Sequence, residues 1–337
     1  MSQAVDLFRQ AAHRAVLDPP TGSDPWLVQY HADLRFERGM ATYLRATEQM
    51  LALIGGVETI RDRVVLDAGS GFGMVANLMA SWGARHVIAL ELFPPMADTH
   101  RRILARDFRH LDGRILQIRG DASHMAVRDR SVDVVLSFEA ISHYYDVPGF
   151  LDECARVLKP GGRLLVSDGN NGANPGLRAF TRRLWVRYEV GPAGRYGDRE
   201  VGDSMQSRRE RIIAGAFPSL PPDRVHTLAA NTSGMERTEI VEKVRRHLDG
   251  GPAPDTPYHE GTLPRDPDHG YVLEALFDPP RLAADVARRG FEAHAVPHYG
   301  GAHNDLYLAA NRVLRRLPTF RYARAFRIVA RRKPSAV

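Results

Sequence analysis

Cysteine is almost missing from this chain: Cys154 stands alone among 337 residues. One thiol excludes an intrachain disulfide and cannot by itself build a cysteine metal site. Lysine is nearly missing too. Only three of the 46 basic residues are lysine (Lys159, Lys243, Lys333), which leaves 43 arginines. Such a bias reads as a habit of composition before it reads as a nucleic-acid signal, and no nucleic acid is expected as partner. No uninterrupted apolar run approaches the roughly 18 residues of a membrane span, so no integral membrane segment is expected. Met1 to Gln10 carries Asp6 and Arg9 among its apolar residues and lacks the core of a signal peptide. None of the 14 histidines falls into a spacing such as H-E-x-x-H, and no required metal is expected. Together these absences point to a cytoplasmic protein.

What the chain does have is an ordinary globular balance, 44% hydrophobic and 26% charged, with a net charge of +6. That suffices for a sizeable core. Residues 1–60 read as a helical cap. Asp24-Pro25 resembles a helix start, and apolar residues at helical spacing run from Trp26 to Ile54, with a break near Gly39. These helices would cover the sheet, serve as a lid, or pair two chains in a homodimer. From Arg61 strands and helices alternate, the pattern of a parallel sheet covered on both faces. Strands are predicted at 63–67, 87–90, 114–119, 132–138 and 163–167, with a turn at Lys159-Pro160-Gly161-Gly162 before the last. The rhythm then breaks for 169–278, a stretch rich in Gly, Pro and Arg that reads as an insertion shaping an acceptor site. Helices are predicted there near 176–189 and over 235–248, the second opened by a Ser233/Glu236 capping box. Asp278 starts another helix, and strands at 291–296 and 325–330 complete the sheet within 279–337.

The first strand runs Val64-Val65-Leu66-Asp67 into Ala68-Gly69-Ser70-Gly71-Phe72-Gly73. Alternate glycines between a strand and a helix allow positive φ and a close ligand approach. The third glycine comes one residue too early for the dinucleotide fingerprint G-x-G-x-x-G, which disfavours a nicotinamide oxidoreductase. An acid two residues before G-x-G-x-G resembles the class I S-adenosylmethionine (SAM)-dependent methyltransferases, and residues 61–168 are then the SAM-binding core. Arg156-Val157-Leu158-Lys159-Pro160-Gly161-Gly162 is similar to the R-V-L-K-P-G-G segment before the fifth strand of that family. The resemblance covers 60–168 strongly and 280–332 in outline. It implies a seven-stranded, doubly wound, Rossmann-like α/β sheet and SAM as cofactor.

The resemblance also implies roles for the carboxyl ends of the strands. Asp67, Gly69, Ser70, Gly71 and Gly73 would form the cofactor turn. Glu91, 24 residues beyond Asp67, would take the ribose hydroxyls with Leu92 beside it. Asp121-Ala122 would meet the adenine amino group, and Phe138 would line the cofactor. Each acid has a plainer reading as a helix cap. The stretch Ser137 to Asp146 would face the methyl group. His143, with an unperturbed pKa of about 6.5, is the leading candidate base, and Glu139 is the second. Tyr144 and His298 are candidate acceptor residues. The amino-methyltransferase tetrad (N/D)-P-P-(Y/F) is replaced by Ser137-Phe138-Glu139-Ala140, which argues against a nucleobase amine. A small-molecule acceptor is expected, most simply a hydroxyl of a sugar, glycan precursor or specialised metabolite. An N- or C-directed enzyme and a non-catalytic SAM-binding partner protein are the alternatives. From Asn311 to Val337 there are nine basic residues and no acid. That tail reads as a solvated helix face and a strand with exposed arginines, or as a patch for an anionic partner or surface.

Overall fold

The computed structural model describes residues 3–197, 199–300, 305–317 and 319–334. Met1, Ser2 and positions 335–337 of the basic tail therefore lie outside the described residues. The chain divides into two compact units. One comprises Met1–Ile141, Asp146–Asn174 and Phe277–Val337; the other comprises Ser142–Tyr145 and Pro175–Leu276.

The first unit contains β1 (Val64–Ala68), β2 (His86–Glu91), β3 (Ile115–Arg119), β4 (Val132–Phe138) and β5 (Leu158–Asp168). A small hairpin, β6 (Gly194–Tyr196) and β7 (Arg199–Val201), belongs to the second unit; the first resumes with β8 (Phe291–His298) and β9 (Ala325–Arg332). The seven strands of the first unit lie in the order β3-β2-β1-β4-β5-β9-β8. Neighbours from β3 through β5 are parallel, and β9 runs antiparallel between β5 and β8. Leu66, Val135, Leu164 and Ile328 are wholly buried. Burial on both faces is why these strands read as continuous apolar runs and not as alternating ones. The strand order reverses between β1 and β4, and ligands bind at such a switch point, outside the carboxyl ends of the strands.

All seven expected strands are present, but three local readings are corrected. Lys159-Pro160-Gly161-Gly162 is no tight turn ahead of the fifth strand; it is an irregular part of β5 itself. Leu158 pairs with Val132 and Arg163 with Val134, so five steps along β5 face two along β4. The Lys159 ammonium holds this bulge by an ion pair to Asp133 at 2.8 Å. Gly39 does not break the N-terminal helices. It lies in the first turn of the helix Glu37–Leu51, where a Cβ would overlap the Asp33 carbonyl oxygen, and the break falls over residues 31–36. Finally, the capping box of the helix Arg237–Leu248 is formed by Glu236 and Glu239. Ser233 instead donates to Glu189 Oε1 at 2.9 Å.

The second unit has its own apolar core, with Ile212, Ile213, Leu228, Ala229, Ile240 and Val244 buried between the helices Met205–Ala216, Pro222–Ala230 and Arg237–Leu248. Arg209 reaches into it, donating to Glu189 Oε1 at 2.7 Å and to the Ala229 carbonyl at 2.9 Å.

Candidate active site

The strand β1 ends in Asp67 and Ala68, and the chain then turns over the sheet. Gly69 and Ser70 both donate their N–H to the Leu90 carbonyl at 2.9 Å, which ties the turn to the end of β2. Gly71 takes φ +54 and Gly73 takes φ +77, both in the left-handed region that favours glycine. A Cβ on Gly73 would overlap the His100 ring, whereas one on Gly71 would meet only Met96 Sδ at 3.9 Å. The first of these glycines is needed for packing, and the second leaves room for a ligand. His100 is itself fixed by a 3.1 Å hydrogen bond between its Nε2 and Asn77 Oδ1. Burial pushes its pKa down to about 4, so it stays neutral.

Asp67 is buried, and one of its oxygens, Oδ2, has no hydrogen-bond partner. Ser70 Oγ is buried and unpartnered in the same turn. Desolvation, then the Glu91 carboxylate, push the Asp67 pKa up to about 7, against a lowering hydrogen bond from the Ala76 N–H. Such orphaned atoms are costly in a finished core and are satisfied when a ligand supplies the partner. Glu91 is already aimed: Oε2 accepts from Gly71 N–H at 2.7 Å and Oε1 from Phe93 N–H at 2.8 Å. A carboxylate oriented in this way is the kind of group that accepts from a vicinal diol. Leu92, next along, is partly exposed. At the end of β3, Asp121 Oδ1 takes both the Ser123 N–H at 2.7 Å and its hydroxyl at 2.9 Å, and Ala122 is buried. His124 accompanies that turn through a 2.9 Å bond between Nδ1 and Ser123 Oγ.

The end of β4 brings a second group of charges. Register places Phe138 opposite Ser167, Ser167 opposite Arg327, and Arg327 opposite Val296. Across that row sits Glu139, whose backbone adopts φ +52, an unusual value for a glutamate. Its N–H donates to the Ser167 carbonyl at 2.7 Å. The carboxylate accepts from Gly169 N–H at 3.1 Å and from Ser167 Oγ at 3.3 Å. Desolvation and the Asp168 carboxylate raise the Glu139 pKa, while Arg327, the Gly169 N–H and the Ser167 hydroxyl lower it. One side of Glu139 is open to solvent, so water screens part of this upward shift. Arg327 is buried, contrary to the expectation of an exposed arginine on this strand. The strand is covered on both faces, so Arg327 has no outward position, and the carboxylates of Glu139 and Asp168 compensate its charge. His298 lies two residues beyond the partner of Arg327 on β8, hence on the same face of the sheet. Burial and Arg327 push its pKa down to about 3, and its Nε2 is buried without a partner.

Two tyrosines of the N-terminal helices complete this neighbourhood, and the sequence showed them only as apolar positions. Tyr30 is half exposed, yet surrounding protein and the carboxylates of Glu139, Asp168, Glu91 and Asp67 all push its phenol upward. Its ring lies 6.1 Å from that of Phe72 in the glycine turn and 5.3 Å from Trp26. Tyr43 is shifted upward by burial, Asp67 and Tyr30. The N-terminal helices thus supply side chains to the glycine turn. Asp168 was findable as a fifth acid at a strand end; Arg327 carried no local signal.

His143 and Tyr144 belong to the second unit. His143 Nδ1 lies 3.1 Å from the Val272 carbonyl oxygen. A carbonyl only accepts, so Nδ1 carries a proton, and in the neutral form of the ring the lone pair is on Nε2. The ring packs edge-on to Tyr271, with centroids 6.4 Å apart. Among the described residues no group of three His, Cys, Asp or Glu side chains is placed to hold a metal ion. Nor, among the described residues, is any helix long and apolar enough to cross a membrane.

Residues 66–166 match the family model described as a methyltransferase domain. Over 109 residues the chain is 40% identical to a probable S-adenosylmethionine-dependent methyltransferase of Mycolicibacterium smegmatis, covering 32% of this chain and 38% of that protein. It is 34% identical over 151 residues to the demethylmenaquinone methyltransferase of Tropheryma whipplei, covering 44% of this chain and 56% of the relative. It is 35% identical over 106 residues to a ubiquinone biosynthesis O-methyltransferase of Xylella fastidiosa, with coverage of 32% and 42%. The match therefore spans only about two fifths to just over half of these relatives' own lengths. Among solved structures, a SAM-dependent methyltransferase from Mesorhizobium loti aligns with a TM-score of 0.42 at 18% identity, covering 83% of this chain and 100% of that one.

Proposed function

We propose that this chain, which carries a class I SAM-dependent methyltransferase domain, moves a methyl group from SAM to a small-molecule acceptor, in the first place to a hydroxyl. The observation that carries the reading is the glycine turn over the buried, half-satisfied Asp67, with Glu91 oriented beside it. Asp67, Gly69, Ser70, Gly71 and Gly73 would hold the amino-acid end of the cofactor. Glu91 and Leu92 would take the ribose, Asp121 and Ala122 the adenine, and Phe138 would line the cleft. Bound SAM supplies an electrophilic methyl group on a sulfonium. Four carboxylates acting on Tyr30 make this region negative, which suits a cationic donor. The protein's part is to position the acceptor, exclude water and accept its proton.

For that proton His143 remains the leading base, in the tautomer that leaves Nε2 unprotonated, and Glu139 the second. A raised pKa places Glu139 nearer neutrality, where a carboxylate is a more effective base. Tyr144 and His298 are proposed as acceptor contacts, and the second unit as the source of acceptor selectivity. Two of the matched relatives are named for quinone biosynthesis, so phenolic rings belong among the trial acceptors beside sugars, amines and carbon nucleophiles.

Titration calorimetry with SAM, followed by assays for S-adenosylhomocysteine over that acceptor panel, tests the reading. Glu91→Gln is expected to weaken SAM binding by about tenfold or more, from the loss of charged hydrogen bonds. Failure to bind SAM, or binding of NAD in its place, overturns the proposal. SAM binding with no turnover on any acceptor class would favour the non-catalytic reading. His143→Ala separates the bases: full turnover across pH removes His143, and Glu139→Gln should then abolish the rise in rate with pH.

A further inference from the structure

The helix Asp305–Leu314 and the residues after it expose apolar and basic side chains that the methyl-transfer chemistry does not use. Asn311 is buried and anchors the helix, accepting from Tyr299 N–H at 2.8 Å and donating to the Tyr299 carbonyl at 2.7 Å. Leu306 and Val313 are seven residues apart and so share one face, turned well away from Asn311. They are 74% and 70% exposed. Leu317 and Tyr322, just beyond the helix, are 51% and 65% exposed. Isolated exposed apolar residues need no explanation, but four large ones within 17 positions do. Arg312, Arg315, Arg316 and Arg321 are exposed between them, and no acid occurs from Leu306 to the end of the sequence.

We propose that this segment docks the protein on an anionic lipid bilayer, with Leu306, Val313, Leu317 and Tyr322 entering the headgroup region and the arginines meeting lipid phosphates. Charge alone would fit any polyanion. A phosphate backbone offers no apolar phase to cover the side chains of Leu306 and Val313, whereas the boundary between headgroups and acyl chains accepts both kinds of group at once. Nothing on this surface needs SAM, so the docking stands apart from the methyltransferase reading.

Sedimentation of the full chain with vesicles of phosphatidylcholine, with and without phosphatidylglycerol, tests it. Binding is expected only to the anionic vesicles and should fall steeply as salt is raised. Leu306→Glu with Val313→Glu, and separately Arg315→Glu with Arg316→Glu, should each reduce it about tenfold or more. SAM binding and the thermal midpoint should be unchanged in both variants. Leu306→Ser with Val313→Ser, a milder pair, replaces the first variant if its melting differs. No sedimentation, or equal sedimentation with neutral vesicles, overturns the proposal. Binding lost with the arginines but indifferent to Leu306 and Val313 also overturns it. Competition by RNA in that last case would assign the surface to nucleic acid.

Discussion

Asp67 is a carboxylate kept where a carboxylate is costly. Its pKa, ordinarily 3.8, is pushed up to about 7 by burial and by Glu91. The folded state therefore binds a proton more tightly than the unfolded chain. Stability from this group is greatest below about pH 4, falls as pH rises toward 7, and stays low above that. Asp67→Asn should remove the slope and make the SAM-free protein more stable at pH 8, by on the order of 1–4 kcal/mol. The same change should weaken SAM binding by about tenfold to a hundredfold. Thermal melts at pH 5 and pH 8 check the first expectation and calorimetry the second. Melting curves that move in parallel with pH would show that Asp67 titrates normally. A buried carboxylate that destabilises the fold and keeps one oxygen unpartnered is what a site shaped for binding at the expense of stability would show.

At the scale of elements, the second unit carries an ion pair in its core. Arg209 and Glu189 are both essentially shielded from water, and their contact is 2.7 Å. Glu189 Oε2 and Arg209 Nη1 find no partner, so desolvation of the pair is incompletely offset. Arg209→Met should cost about 3–5 kcal/mol because it strands the glutamate. Adding Glu189→Leu should recover most of that loss. Denaturant unfolding followed at Trp185, whose indole N–H donates to the Glu274 carbonyl at 3.2 Å, reads out this unit. Equal stability of the single and double variants would mean that Glu189 is solvated once Arg209 is gone. Of the helices around this pair, those near 176–189 and 235–248 were legible in the sequence, whereas Met205–Ala216, which carries Arg209, and Pro222–Ala230 were not expected. The pair itself was not, since Glu189 and Arg209 are 20 residues apart and each reads as a surface residue.

On the scale of the whole molecule, two compact units raise the question of whether they unfold together. Tryptophan supplies the probes: Trp26 and Trp82 lie in the first unit and Trp185 in the second. A ligand held by the first unit stabilises that unit by mass action. SAM should therefore shift a melt read from Trp26 and Trp82 (with Trp185→Phe) more than one read from Trp185 alone. Equal shifts would show a single cooperative transition in place of two.

Sequence order alone was enough for the sheet, the glycine turn and the acids of β1 and β2, because each is written in a contiguous pattern of apolar runs, glycines and strand ends. Asp67, Glu91 and the seven strands were legible for that reason. Asp168 stood at a strand end like the other acids, but Tyr30 and Arg327 joined the site only through the tertiary structure. They come from a cap helix and an antiparallel strand, separated by well over a hundred residues, and a local pattern carries no trace of a partner that far away. Arg327 is buried because its strand is covered on both faces, and two carboxylates at the ends of β4 and β5 compensate a charge that its own neighbours do not.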